Sequence, residues 1–242
     1  MTRVEHIGNC QLILADCRDV LPTLGHVDTV VTDLPYGIAR PDKKDGINTP
    51  RDKGGYSTAF EDTQDNLKVL AGDLCAFIEA RKLRAAITPS RANMWHYSQP
   101  TDVGMFYQPA AVGMSYWGRA TWQPILYYGK DPYNGKTIQP LHYILTEKPE
   151  KNGHPCPKPI KAWTWLVNRA SKPADVVFDP CFGSGTTAVA CVALGRKFVG
   201  VEISEEYFNI AVERIRRAHD QLKLFEECSP PAALYQERVG TA

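Results

Sequence analysis

The chain has 242 residues, 43% of them apolar and 23% charged, with 28 Lys and Arg against 27 Asp and Glu. That composition excludes a disordered chain, and the net charge of +1 excludes a protein that coats polyanions through bulk charge. The 18 Gly and 18 Pro follow no period, and no apolar run reaches the ~20 residues needed to span a bilayer.

Elements follow in chain order. Residues 1–9 are polar and hold no apolar signal core. Residues 11–14 form a short apolar run and predict a buried strand. Residues 17–24 fit a short helix, and the β-branched stretch 27–32 predicts a second strand ending at Asp33. Residues 38–60 have no apolar period and predict a long mobile loop. It carries five basic side chains (Arg40, Lys43, Lys44, Arg51, Lys53) and three acidic ones.

From Asp62 a helical period sets in, with Leu67, Leu70, Leu74, Phe77 and Ile78 on one face. Residues 85–88 predict a third strand. Residues 91–130 are rich in aromatics, expected mostly as core. Residues 121–128 predict an edge strand, because Pro124 cannot donate to a ladder. Residues 131–157 read as loop.

The last third is the most regular. A helix is expected over 160–170, a strand over 175–178 and a helix over 184–194 closed by Gly195. A strand over 198–201 then ends at Glu202, and a helix is capped by Ser204. The tail after Glu226 reads as irregular. Seven Cys, at positions 10, 17, 75, 156, 181, 191 and 228, form no C-x-x-C pair. They fit reduced thiols in a cytoplasmic protein and no metal site.

Two segments carry chemistry. In Asp179-Pro180-Cys181-Phe182-Gly183-Ser184-Gly185-Thr186-Thr187, glycines separate a strand from a helix N-terminus, where free N–H groups gather. It lacks the Lys of a phosphate-binding P-loop and is not G-x-G-x-x-G. Glu202, at the end of the next strand, suits the two hydroxyls of a ribose. Together they predict a site for a nucleoside-containing cofactor, or else a glycine turn with a capping acid. Directly after another strand comes Asp33-Leu34-Pro35-Tyr36-Gly37. A carboxylate, a proline-held carbonyl and a flat ring within four residues can accept both hydrogens of an exocyclic amine and stack on its ring. A strand-ending turn with a buried Tyr is the plainer alternative.

The two segments together resemble the amino-directed DNA methyltransferases, which methylate adenine N6 or cytosine N4 with S-adenosylmethionine. Asp33 to Tyr36 resembles their (D/N/S)PP(Y/F) catalytic motif. Asp179 to Thr187 resembles their D-P-x-x-G-S-G-T-T cofactor loop, and His154-Pro155-Cys156-Pro157-Lys158-Pro159 their H-P-x-x-K-P segment. Leu14-Ala15-Asp16-Cys17 is similar to the G-D segment that opens the permuted, β-ordered group. That group places the catalytic motif before the cofactor loop, as here. The likeness runs from about residue 11 to 218. Leu34 replaces the first proline of the motif and Ala15 a common glycine.

The resemblance implies a Rossmann-like, S-adenosylmethionine-dependent methyltransferase fold: a single α/β domain over 1–242, a mostly parallel sheet with helices on both faces, and circularly permuted motif order. It implies that a base flips out of duplex DNA and stacks on Tyr36, while the Asp33 carboxylate and the Leu34 carbonyl accept its amine hydrogens. Pro35 shapes that loop. Glu202 would hold the cofactor ribose and Asp16 its adenine amine. Phe182, Gly183, Ser184, Gly185, Thr186 and Thr187 would line its ribose and methionine side, with Lys158 and Asp179 near the methionine end. An Asp opening the motif goes with adenine in that group, so an adenine N6 enzyme of the restriction–modification kind is expected. Cytosine N4 is the nearest alternative. An RNA or protein amine methyltransferase fits the permuted order less well, and a catalytically silent DNA-binding relative fits the intact Asp33, Tyr36 and glycine loop less well.

DNA reading is expected from a short recognition segment over 130–153. Phosphate contacts are expected from residues 147–172, with six basic and two acidic side chains, and from the 38–60 loop. So little reading surface implies a second copy as partner. No membrane partner is expected.

Overall fold

The computed structural model describes residues 2–37, 60–109, 113–115, 117–133 and 140–228. Eleven strands are described: β1 Arg3–Ile7, β2 Cys10–Leu14, β3 Thr29–Thr32, β4 Arg84–Ile87, β5 Asp102–Tyr107, β6 Gly113–Ser115, β7 Gly118–Ala120, β8 Trp122–Tyr128, β9 His142–Ile144, β10 Val176–Asp179 and β11 Lys197–Glu202. The helices are α1 Cys17–Val20, α2 Gln64–Ala80, α3 Ile160–Ala170, α4 Thr186–Ala193 and α5 Glu205–Cys228.

Nine strands form one sheet in the order β1-β2-β11-β10-β3-β4-β8-β5-β9, and β6 and β7 pair as a separate ribbon. The five central strands, β2 to β4, are mutually parallel. β10 and β11 come last in the chain yet insert between β2 and β3. The chain therefore leaves β3 toward one edge and β10 toward the other. The crevice at their carboxyl ends is the switch point where open α/β sheets bind ligands.

Both faces are covered, as expected. One core holds α3, α4 and α5 against Leu12, Val31 and Val177, and the other holds α1 and α2 against Ile13, Val30 and Phe178. Neighbours such as Val30 and Val31 are both fully buried and point to opposite cores. A strand covered on both sides thus reads as a continuous apolar run. Thr63 caps α2 by accepting the Asn66 N–H at 3.2 Å, and Asp16 caps α1 by accepting the Arg18 N–H at 2.9 Å.

Several expectations change. β8 is not an edge strand: it lies between β4 and β5. Its pairing with β4 ends at Ile87–Leu126, two residues before Pro124 is reached. Opposite Pro124, Met105 sends its N–H away, to the Leu141 carbonyl at 3.1 Å. The proline nitrogen therefore faces the side from which β4 has already departed, and no ladder bond is lost. The polar N-terminus is β1, an antiparallel edge whose alternation is half-buried. Within the stretch expected to be loop, β9 pairs with β5.

The aromatics of 91–130 divide. Phe106 is buried and stacks on Trp163 at 5.4 Å, and Tyr97 is buried. Trp95, Trp117, Trp122 and Tyr107 are exposed. Tyr107 and Trp122 face each other on the side of the sheet that α3 leaves bare. The expected mobile loop lies outside the described residues except for Phe60. Among the described residues, no helix is long and apolar enough to cross a membrane.

Candidate active site

β3 and β10 end side by side, because Val177 and Phe178 pair with Thr29 and Val30. One chemistry-bearing segment begins at Asp33, directly after β3, and the other at Asp179, the last residue of β10. The Thr32 hydroxyl donates to Asp179 Oδ1 at 2.7 Å across 147 residues of sequence. One cavity is lined by Asp33, Leu34, Pro35 and Tyr36 on one side and Phe182, Gly183, Ser184, Thr186 and Thr187 on the other. Asp16, Lys158, Asp179 and Glu202 line it as well.

Gly185 is the exception. Its N–H is used within the turn, donating to the Phe182 carbonyl at 2.9 Å. Its φ is +80°, and a Cβ there would meet the Ala211 Cβ on α5 at 2.9 Å. Gly185 therefore serves the close approach of α4 to α5 and does not line the cavity. Gly183, at φ +54°, does face the cavity, and its absent Cβ leaves room beside the His154 ring, 3.2 Å away. The His154 ring also sits edge-on to Tyr207 at 4.4 Å. Burial, and then Lys158, lower the His154 imidazole to about 4, so it is neutral at pH 7.

Glu202 is buried with a defined hydrogen-bond set. Oε2 accepts the Gly183 N–H at 2.9 Å and Oε1 accepts the Ser204 N–H at 2.8 Å. The Ile203 N–H also favours its anion, and the carboxylate still has acceptor capacity for a further donor. Burial pushes its carboxyl up to about 7 against the pull of these N–H groups. Asp179 is pushed up to about 6 by burial, although the Thr187 and Thr32 hydroxyls and the Cys181 N–H all favour its anion. All its recorded contacts are internal, so it ties β3, β10 and the glycine turn together. Asp16 is engaged by Arg18, whose guanidinium reaches Oδ2 at 2.5 Å and holds the carboxyl below its ordinary range. An adenine amine would have to share it.

The catalytic-type motif is held by residues far away in sequence. Asp33 Oδ1 accepts the Tyr36 hydroxyl at 2.8 Å, the Thr88 hydroxyl at 2.6 Å and the Gln123 amide at 3.1 Å. The Gln123 amide also reaches the Tyr36 hydroxyl at 2.7 Å. Asn93 donates to the Tyr36 carbonyl, and Asp62 accepts the Gly37 N–H at 2.6 Å. Lys158 sits on the motif itself and not at the glycine turn. Its ammonium is 2.5 Å from Asp33 Oδ2 and 3.0 Å from the Tyr36 hydroxyl. Burial is the largest influence and opposes the Lys158 charge, but the Asp33 carboxylate together with Tyr36 and Cys156 outweighs it and holds the ammonium well above its ordinary pKa.

Thr88, Asn93 and Gln123 carried no signal in the sequence. A single polar residue in or after a strand has no pattern, and its partner is set by strand order. Within the expected recognition segment, Asn152 donates to the Ser184 hydroxyl at 3.1 Å. Residues 134–139 of that segment lie outside the described residues. Arg214 of α5 donates to the Ser184 carbonyl and reaches Glu150 at 3.0 Å, closing the turn from behind. Among the described residues, no group of His, Cys, Asp and Glu has metal-site geometry.

Comparison with known proteins places the chain in a family. Residues 91–213 match the family model described as DNA methylase, and the chain belongs to that family. It is 36% identical over 96 residues to the type II methyltransferase M.SmaI of Serratia marcescens, covering 40% of this chain and 33% of that protein. It is 39% identical over 86 residues to the DNA adenine methyltransferase YhdJ of Escherichia coli K12, covering 36% and 28%. The chain thus spans about a third or less of the length of these curated relatives. The crystal structure of an M1.HpyAVI–SAM complex superposes with a TM-score of 0.63 at 21% identity, over 85% of this chain and 98% of that one. The cytosine-N4-specific PvuII DNA methyltransferase superposes at 0.62 and 13% identity, over 89% and 93%. At such identities the likeness establishes the fold: this sheet is that of the S-adenosylmethionine-dependent methyltransferases.

Proposed function

We propose that the protein transfers a methyl group from S-adenosylmethionine to the N6 amine of an adenine flipped out of duplex DNA. The observation that carries this reading is the single cavity joining the Asp33–Tyr36 loop to the Gly183–Thr187 turn and Glu202. The family match begins at residue 91, after the Asp33 motif, so the pairing of the two segments rests on the geometry.

The residues present fit the cofactor. The remaining acceptor capacity of Glu202 suits a ribose hydroxyl, and Gly183 leaves the turn open beside His154. Bound there, the cofactor would supply an electrophilic sulfonium methyl group. The chain's part is placement. Asp33 and the Leu34 carbonyl accept the two amine hydrogens, turning the nitrogen lone pair out of the ring plane and toward the methyl. No donor among the described residues is recorded on the Leu34 carbonyl. Tyr36, fixed through its hydroxyl, offers its ring to the base, whose unstacking costs a few kcal/mol. Asp33 is also the nearest acceptor for the proton the nitrogen sheds once methylated. In-line positioning of this kind supplies much of the acceleration.

Adenine is favoured over cytosine by the Asp that opens the motif and by the likeness to an enzyme named for adenine. Duplex DNA is the substrate class, and a second copy the expected partner for reading it. Expression in cells, digestion of their DNA and mass spectrometry of the nucleosides test the base directly, and sequencing of the methylated positions gives the site. N6-methyladenine is expected. N4-methylcytosine alone would overturn the base and leave the mechanism. Tritiated methyl transfer to RNA or protein but not to DNA would overturn the substrate class.

A further inference from the structure

The two oxygens of Asp33 are used differently. Oδ1 takes three neutral donors, from Tyr36, Thr88 and Gln123, whereas Oδ2 faces the Lys158 ammonium. That ammonium is largely buried, 5.0 Å from the centre of the Tyr36 ring and 5.8 Å from that of Trp163. A strong acceptor and a strong donor therefore stand side by side at the edge of the ring assigned to stack on the base. Adenine presents an amine donor beside a ring-nitrogen acceptor on its Watson–Crick edge, at N6 and N1. Cytosine presents the same order at N4 and N3. Guanine and thymine present the reverse, a carbonyl oxygen beside a ring N–H.

Resting on the function proposed above, we propose that Lys158 reads the target base, donating to the ring nitrogen next to the amine while Asp33 accepts from the amine. In the resting site each charge satisfies the other. Insertion of an amino base parts them onto the two neighbouring atoms, so neither buried charge loses a partner. Guanine or thymine would set a carbonyl oxygen against the carboxylate and an N–H against the ammonium, both repulsive. Amino bases are thus selected by the order of charges and not by pocket shape.

The test compares adenine with 1-deazaadenine at the methylated position, where C–H replaces the ring nitrogen and the amine stays. For a cytosine target, 3-deazacytosine takes its place. The unmodified protein should use the deaza base about 10- to 100-fold less efficiently in kcat/KM, the size of a hydrogen bond to a charged group. Lys158→Met should handle the two bases within about twofold of each other, and Lys158→Arg should retain a preference, as a donor to a charged-type hydrogen bond remains. Cofactor affinity close to that of the unmodified protein would show that Lys158→Met is folded. Should it not fold, Asp33→Asn and the Asp33→Asn/Lys158→Met pair, which buries no lone charge, give the same comparison through duplex affinity. An undiminished preference for adenine without Lys158 overturns the inference alone. A protein that methylates no DNA overturns the proposed function and this inference with it.

Discussion

Glu202→Gln is the sharpest probe of the cofactor side. Both Glu202 oxygens accept backbone N–H groups, from Gly183 at 2.9 Å and Ser204 at 2.8 Å. The amide keeps one acceptor and turns an NH2 toward the other N–H. One backbone donor and one ribose hydroxyl thereby lose an anionic acceptor, each worth about 1.5–3 kcal/mol. Cofactor Kd at pH 8 should rise about 10- to 100-fold.

The pH dependence adds a signature. Burial raises the Glu202 carboxyl to about 7 in the free protein, and a ribose held there as proposed would bind its ionised form. Affinity should therefore improve about tenfold from pH 6 to pH 8 in the unmodified protein, a shift of this kind being about 1.4 kcal/mol per pH unit below the pKa. The variant should lack that component. The cofactor's own amine titrates in both, so the difference between the two curves is the readout.

Stability moves the opposite way. A carboxyl raised on folding contributes stability that is fully present below its unfolded value and lost as pH rises through 7. For Glu202 that loss is on the order of 3 kcal/mol. Asp179, raised to about 6, acts in the same direction. The free variant should show a flatter stability curve between pH 5 and 8. Calorimetric titration at three pH values and urea denaturation measure both effects. A variant with unchanged affinity and an unchanged pH slope would refute the ribose assignment.

Asp33→Asn should lower methyl transfer about 10²- to 10⁴-fold while leaving cofactor affinity within about threefold; near-normal turnover would remove Asp33 from the chemistry. Asn is preferred to Ala because an empty position would strand the buried Lys158 ammonium, at about 3–5 kcal/mol. Gly185→Val should cost about 2–4 kcal/mol in urea denaturation, from its φ of +80° and the clash with Ala211. Unchanged stability would mean that α4 and α5 do not pack as described. If the exposed Lys148, Lys151, Lys161 and Lys172 meet phosphates, DNA affinity should fall steeply with salt, with a log–log slope of about −0.9 per contact. Salt-independent affinity would argue against a polyanionic substrate.

The sequence by itself carried the parts of the protein whose signals are local. Val30-Val31 and Val177-Phe178 read as strands because burial on both faces makes them apolar without a break. The glycine turn after Asp179 and the loop after Asp33 are visible because chain reversal, close approach and an amine acceptor each demand particular residues within a few positions. Only the tertiary structure decided what those residues touch. The insertion of β10 and β11 between β2 and β3 brings Thr32 to Asp179. The place of β8 inside the sheet, which Pro124 seemed to forbid, delivers Gln123 to Asp33 and Tyr36. Lys158, expected at the methionine end, reaches Asp33, and Gly185, expected at the cofactor, packs on α5. Hydrogen-bond and ion-pair partners depend on strand order and crossover direction, which link residues 87 to 147 positions apart here, and no local pattern of residue types records that pairing.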